Sequence, residues 1–175
     1  SGLSRKYHTL EHIYHCLEEF NGIKDFAENS DALEMAVWFH DIVYKPNAQD
    51  NEEKSAQLAS RYLELMALPE KFRKQVERLI LATKHNYIPE DMDLKLILDI
   101  DLSSLGSPIE EFKKRTEKIR QEYRGFSEVE FRQGIHDFAH SLLSRESIYL
   151  TPQFKARYEE KARRNLETLL VKIPT

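Results

Sequence analysis

Apolar residues recur at helical spacing along almost the whole of this 175-residue chain, strict apolar-polar alternation is absent, and glycine occurs only five times. A chain patterned in this way buries helix stripes rather than sheet faces, so the expectation is an all-α fold. No repeat, low-complexity stretch or linker interrupts the pattern. The length suits a single domain, residues 1–175, with a core of its own. The opening Ser1-Gly2-Leu3 reaches a histidine-rich segment almost at once, which raises the expectation that a short leading helix is missing.

The spacing predicts a first helix over Tyr7 to Phe20, with an apolar stripe of Leu10, Ile13, Tyr14, Leu17 and Phe20. His8, His12 and His15 form the opposite stripe at i, i+4, i+7, a spacing that can chelate a metal but reads first as a polar outer face. His8 stands at the helix start, where the chain can still turn toward a neighbour. A second helix begins after the capping cluster Asn29-Ser30-Asp31 and runs toward Tyr44-Lys45-Pro46, where proline stops it. A third starts within Asp50-Asn51-Glu52-Glu53-Lys54-Ser55, its acidic first turn suiting the helix dipole. The fourth covers Pro69 to Lys84, and His85 follows as the helix ends, open to being either a ligand or a plain surface histidine. Leu94 to Leu102 reads as a helix, with a buried strand as the alternative because the run is short and aliphatic. Three more helices follow: Ile109 to Tyr123, Ser127 to Arg145 with Ser127 and Glu130 as a capping box, and Pro152 to Leu170.

Within the second helix, Ala36-Val37-Trp38-Phe39 leads directly into His40-Asp41. At about 100° per residue His40 falls in line with Leu33, Ala36 and Val37, the core side, with Asp41 on its flank. A buried imidazole beside a buried carboxylate is costly unless something pairs with both, and a divalent metal satisfies both. His136-Asp137 serves as an internal control: Phe131, Ile135, Phe138 and Leu142 share one face and His136 and His140 lie opposite, so this second pair reads as solvated surface. In the aliphatic run, rotation aligns Asp101 with Leu94, Ile97 and Leu98 and turns Asp99 toward the far side, which makes Asp101 the inward carboxylate.

The mixed-sign charge, with a net of -4, argues against a nucleic-acid-binding stripe. One cysteine, Cys16, excludes a disulfide framework and fits a reducing compartment. With no membrane-spanning run and no signal pattern, a soluble cytoplasmic protein is the expectation.

His8, then His40-Asp41, then Asp101, spaced by some tens of residues, resembles the H…HD…D pattern of the HD superfamily of metal-dependent phosphohydrolases. Arg5-Lys6-Tyr7-His8-Thr9-Leu10-Glu11-His12-Ile13, Trp38 to Tyr44, Asn51 to Ala56 and Asp99 to Gly106 are similar to a small bacterial-type subgroup of predicted HD phosphohydrolases. Phe131-Arg132-Gln133-Gly134, Ile148 to Pro152 and Ala162 to Leu166 extend the likeness over nearly the whole chain.

The resemblance implies a single HD-domain helical bundle, with the motifs in residues 5–106 and further helices in 108–171. It implies that His8, His40, Asp41 and Asp101 hold one divalent metal (Mn, Mg, Co, Fe or Zn). Asn51 stands where two-metal relatives carry a histidine, which argues against a second metal and against di-iron chemistry. The activity implied is hydrolysis of a phosphoester of a small metabolite or nucleotide, with Asp41 as both ligand and orienter of water and His85 as a further catalytic candidate. Arg5 and Lys84 are candidate contacts to the substrate phosphate, with Glu52 a further substrate-binding candidate. The competing expectation is a regulatory module that binds metal or nucleotide without turnover.

Overall fold

A computed structural model describes residues 5–170, and the expectation about the start of the chain falls outside them. Among the described residues there are eight α-helices and no strand: α1 (Leu10–Asn21), α2 (Ser30–Phe39), α3 (Asn51–Leu65), α4 (Glu70–Ala82), α5 (Met92–Leu102), α6 (Ile109–Glu122), α7 (Glu128–Leu143) and α8 (Pro152–Leu170). The fold is all-α, and the strand alternative for the aliphatic run is overturned by α5. The chain forms two compact units, one of residues 10–101 and one that joins residues 5–9 to residues 102–170.

In the first unit α2 packs against α1, α3 and α4. Leu33, Ala36 and Val37 of α2 are wholly buried, as are Ala59 and Leu63 of α3 and Val76 and Ile80 of α4. Asn29 caps α2 by accepting from the Ala32 N–H, and the Asp93 carboxylate accepts from the N–H of Glu28 and of Asn29, which ties the start of α2 to α5.

The second helix ends at Phe39, well before Pro46. Side chains from the first turns of α3 explain the early stop. The Ser55 hydroxyl exchanges hydrogen bonds with both backbone groups of Val43, and the Asn51 amide does the same with Lys45. The backbone that would continue α2 is thereby captured, and His40 and Asp41 sit at its C-terminal end.

The apolar stripe expected for α1 is rotated in the structure. Leu10 and Tyr14 are 76% and 64% exposed, while His12, Ile13, Cys16, Glu19 and Phe20 are buried. Helix α5 is buried almost all round, at Leu94, Leu96, Ile97, Leu98 and Ile100. The expectation that Asp99 turns away is therefore corrected, because Asp99 is only 1% exposed.

In the second unit α8 packs on α7 and on the tight turn Ser103–Gly106. Gly106 is required there: a Cβ would stand 2.6 Å from that of Tyr158. Asn165 of α8 donates to the carbonyls of Leu105 and Ser107. The capping box of Ser127 and Glu130 is present at the start of α7.

The Glu122 carboxylate, at the end of α6, accepts from the backbone N–H groups of Lys6, Tyr7 and His8, and lies 2.6 Å from His8 Nδ1. Burial pushes the Glu122 carboxyl up, but the His8 imidazole and the Lys6 and Tyr7 amides outweigh it and leave it below the usual range. A depressed carboxyl contributes stability above its unfolded value, near about 4.3, and loses it as pH falls through the folded value. Glu122→Ala, which strands three N–H donors, is expected to cost about 2–4 kcal/mol in urea melts at neutral pH. Glu122→Gln should flatten the acid limb of the stability curve, and a variant matching the parent at both neutral and acid pH would refute this role.

Candidate metal centre

Within residues 10–101, α1, the end of α2 and the end of α5 aim polar side chains at one point. His40 is 3% exposed, and its Nδ1–H donates to the Val37 carbonyl at 2.8 Å, which leaves Nε2 facing inward. His12 Nε2 lies 3.3 Å from His40 Nε2, with the rings edge-on at 5.3 Å between centroids. Asp41 Oδ2 is 3.5 Å from His12 Nε2 and 3.3 Å from His40 Nε2. Asp101 Oδ1 is 3.4 Å and 3.6 Å from the same two nitrogens.

The other oxygen of Asp101, Oδ2, is 2.8 Å from His85 Nε2. His85 takes a left-handed backbone, φ 54°, and its N–H bonds the Ala82 carbonyl. That sharp turn at the end of α4 brings the ring to Asp101 at a cost of about 1 kcal/mol for a non-glycine residue.

The electrostatics follow from this crowding. Burial lowers the His40 pKa, yet Asp41 and Asp101 together raise it well above the ordinary imidazole value. Burial also pushes Asp101 up, and the nearby His12 and His40 imidazoles, together with the His85 hydrogen bond, hold it well below the usual carboxylate range.

Donors bound about 2.0–2.2 Å from one first-row ion stand about 3.0–3.6 Å apart, the spacing found between the His12 and His40 nitrogens and from each to Asp41 and Asp101. Neutral imidazoles and ionised carboxylates suit such an ion, and the Val37 carbonyl supplies the tautomer-fixing partner that metal-binding histidines use. Cys16 belongs to the same buried neighbourhood, and His12, Cys16 and His40 can hold a metal ion. The Cys16 sulfur is 3.7 Å and 3.8 Å from the two ring nitrogens of His12. Those near-equal distances set it against the ring rather than beyond Nε2, so the two carboxylates are the better-aimed partners.

Of the residues singled out in the sequence, His40, Asp41, Asp101 and His85 come together. His8 belongs to the other unit, where it meets Glu122. Arg5 also belongs there and is half-buried. Lys84 is ion-paired with Glu53 and donates to the Gln49 carbonyl. Glu52 is half-buried, and burial raises its carboxyl pKa, with Glu53 and Asp41 adding to the rise. Asn51 is engaged with the Lys45 backbone. His12 is the residue to which the sequence assigned no definite role. Its signal was Cys16, of a type commonly buried, one helical turn further on.

Compared with known protein families, with curated proteins and with solved structures, the chain matches none. No described helix is long and apolar enough to cross a membrane.

Proposed function

We propose that this chain is an HD-type metal-dependent phosphohydrolase acting on a small phosphorylated metabolite or nucleotide. The observation that carries the reading is the convergence of His12, His40, Asp41 and Asp101, which reproduces the order H…HD…D with His12 in the first place. The metal set proposed is thus His12, His40, Asp41 and Asp101, and the earlier expectation of His8 becomes a matter for direct test.

A divalent ion held there would lower the pKa of water and offset charge on phosphoryl oxygens. The chain's own residues do the rest. His12 and His40 present Nε2 lone pairs, His40 fixed by the Val37 carbonyl. Asp41, beside both imidazoles, orients water and accepts its proton. Asp101 faces the histidines with one oxygen, and His85 steadies the other. Lys84, at present paired with Glu53, can exchange that partner for a substrate phosphate.

The test is a screen of phosphomonoesters and nucleotides with added Mn²⁺. Turnover is expected, falling by about 100-fold or more in Asp41→Asn. Metal binding with no turnover on any compound would replace this reading with the regulatory module. His85→Asn is expected to keep the fold and lower metal affinity or activity by about 10–100-fold, as loss of a ligand's hydrogen-bond partner does. Unchanged values in both assays would show that His85 does not position Asp101.

A further inference from the structure

The second His-Asp pair lies on α7, outside the buried centre, and its geometry carries a separate chemistry. His136 and His140 are one turn apart, and their rings lie nearly parallel, 16° between planes and 6.2 Å between centroids. His140 is exposed and the His136 side chain is 36% exposed. Two histidines at this i, i+4 spacing on one helix face are the pair that helical zinc motifs use to chelate.

The surroundings of His136 add a second observation. Gln133 Nε2 donates to Asp137 Oδ1 at 2.8 Å, and the same oxygen lies 3.4 Å from His136 Nδ1. A carboxylate facing Nδ1 favours the tautomer with a proton on Nδ1, which leaves Nε2 as the ligand atom. Gln133 in turn holds the carboxylate in place. Because both rings are solvent-accessible, they can swing together about their side-chain bonds without disturbing the core.

We propose that His136 and His140 form a surface chelate for a late first-row divalent ion, with Asp137 fixing the tautomer of His136. Affinity follows the order of the divalent series, so Cu²⁺ binds most tightly. Water completes the coordination. The site is independent of the buried cluster and of the activity proposed for it.

The test uses the untagged full chain and Cu²⁺ alone, followed by calorimetry and electron paramagnetic resonance, beside His136→Ala, His140→Ala and the double variant. Retention on an immobilised Ni²⁺ resin, which reaches only surface histidines, is measured in parallel. Either single substitution is expected to weaken the surface Cu²⁺ event by about tenfold or more and to shorten resin retention nearly as much as the double, because a chelate needs both rings. The double variant keeps its circular dichroism and the buried centre. Unchanged Cu²⁺ affinity and retention in the double variant would overturn the proposal. So would losses that simply add between the two single variants, the behaviour of two independent histidines.

Discussion

His12→Ala is expected to strip the protein of tightly held metal, whereas His8→Ala leaves metal content near that of the parent. His12 Nε2 stands 3.3 Å from His40, 3.5 Å from Asp41 and 3.4 Å from Asp101, so it sits as centrally in the cluster as His40 does. Removing it should cost well over about 100-fold in affinity, since even the hydrogen-bond partners of ligands cost about 10–100-fold. His8, by contrast, is engaged through Nδ1 with the buried Glu122. Elemental analysis after gel filtration, with circular dichroism to confirm folding, decides the matter. Metal lost from His8→Ala but kept by His12→Ala would restore the assignment read from the sequence.

Much of the fold was legible because helix periodicity and caps are local signals. The capping box at Ser127, the cap at Asn29 and the helical character of all eight segments depend on near neighbours in sequence. What was not legible depended on partners far along the chain. Helix α2 stops at Phe39 because Ser55 and Asn51 reach back to residues 43 and 45. The stripe of α1 was misplaced because Leu10 and Tyr14, apolar by type, are exposed, while His12 and Glu19 are buried. Rotation arguments assume one wet face. Helix α5 has almost none, so Asp99 is buried and Asp101 only half-buried, and periodicity could not rank the two. The candidate metal centre was readable at His40-Asp41, where the dipeptide lies on an apolar run. The histidine that completes the cluster belonged to a stripe marked only by Cys16.

Asp101→Asn is expected to abolish metal retention and to flatten the pH response of the metal-depleted protein, with Asp99→Asn as the control that keeps the metal. Burial works against a charged His40, but Asp41 and Asp101 raise its pKa well above the ordinary value. A raised imidazole contributes stability that is fully present below its unfolded value, near about 6.5, and is lost as pH rises through the folded value. The depressed carboxyl of Asp101 acts at the other end: its contribution is present above about 3.9 and is lost as pH falls through the folded value. The metal-depleted protein should therefore lose thermal stability on the alkaline side of His40's folded pKa. Metal uptake must displace the proton on His40, so affinity for Mn²⁺ rises over the same range and the loaded protein keeps its Tm there. Asparagine at position 101 removes one of the two charges that hold the proton and one of the two carboxylates that hold the ion. Both effects should fade together: a flatter Tm against pH after chelation, and no protection by Mn²⁺. If Asp101→Asn still gained stability from Mn²⁺ while Asp99→Asn did not, the ion would have to be held by Asp99, and the geometry proposed for the centre would be wrong.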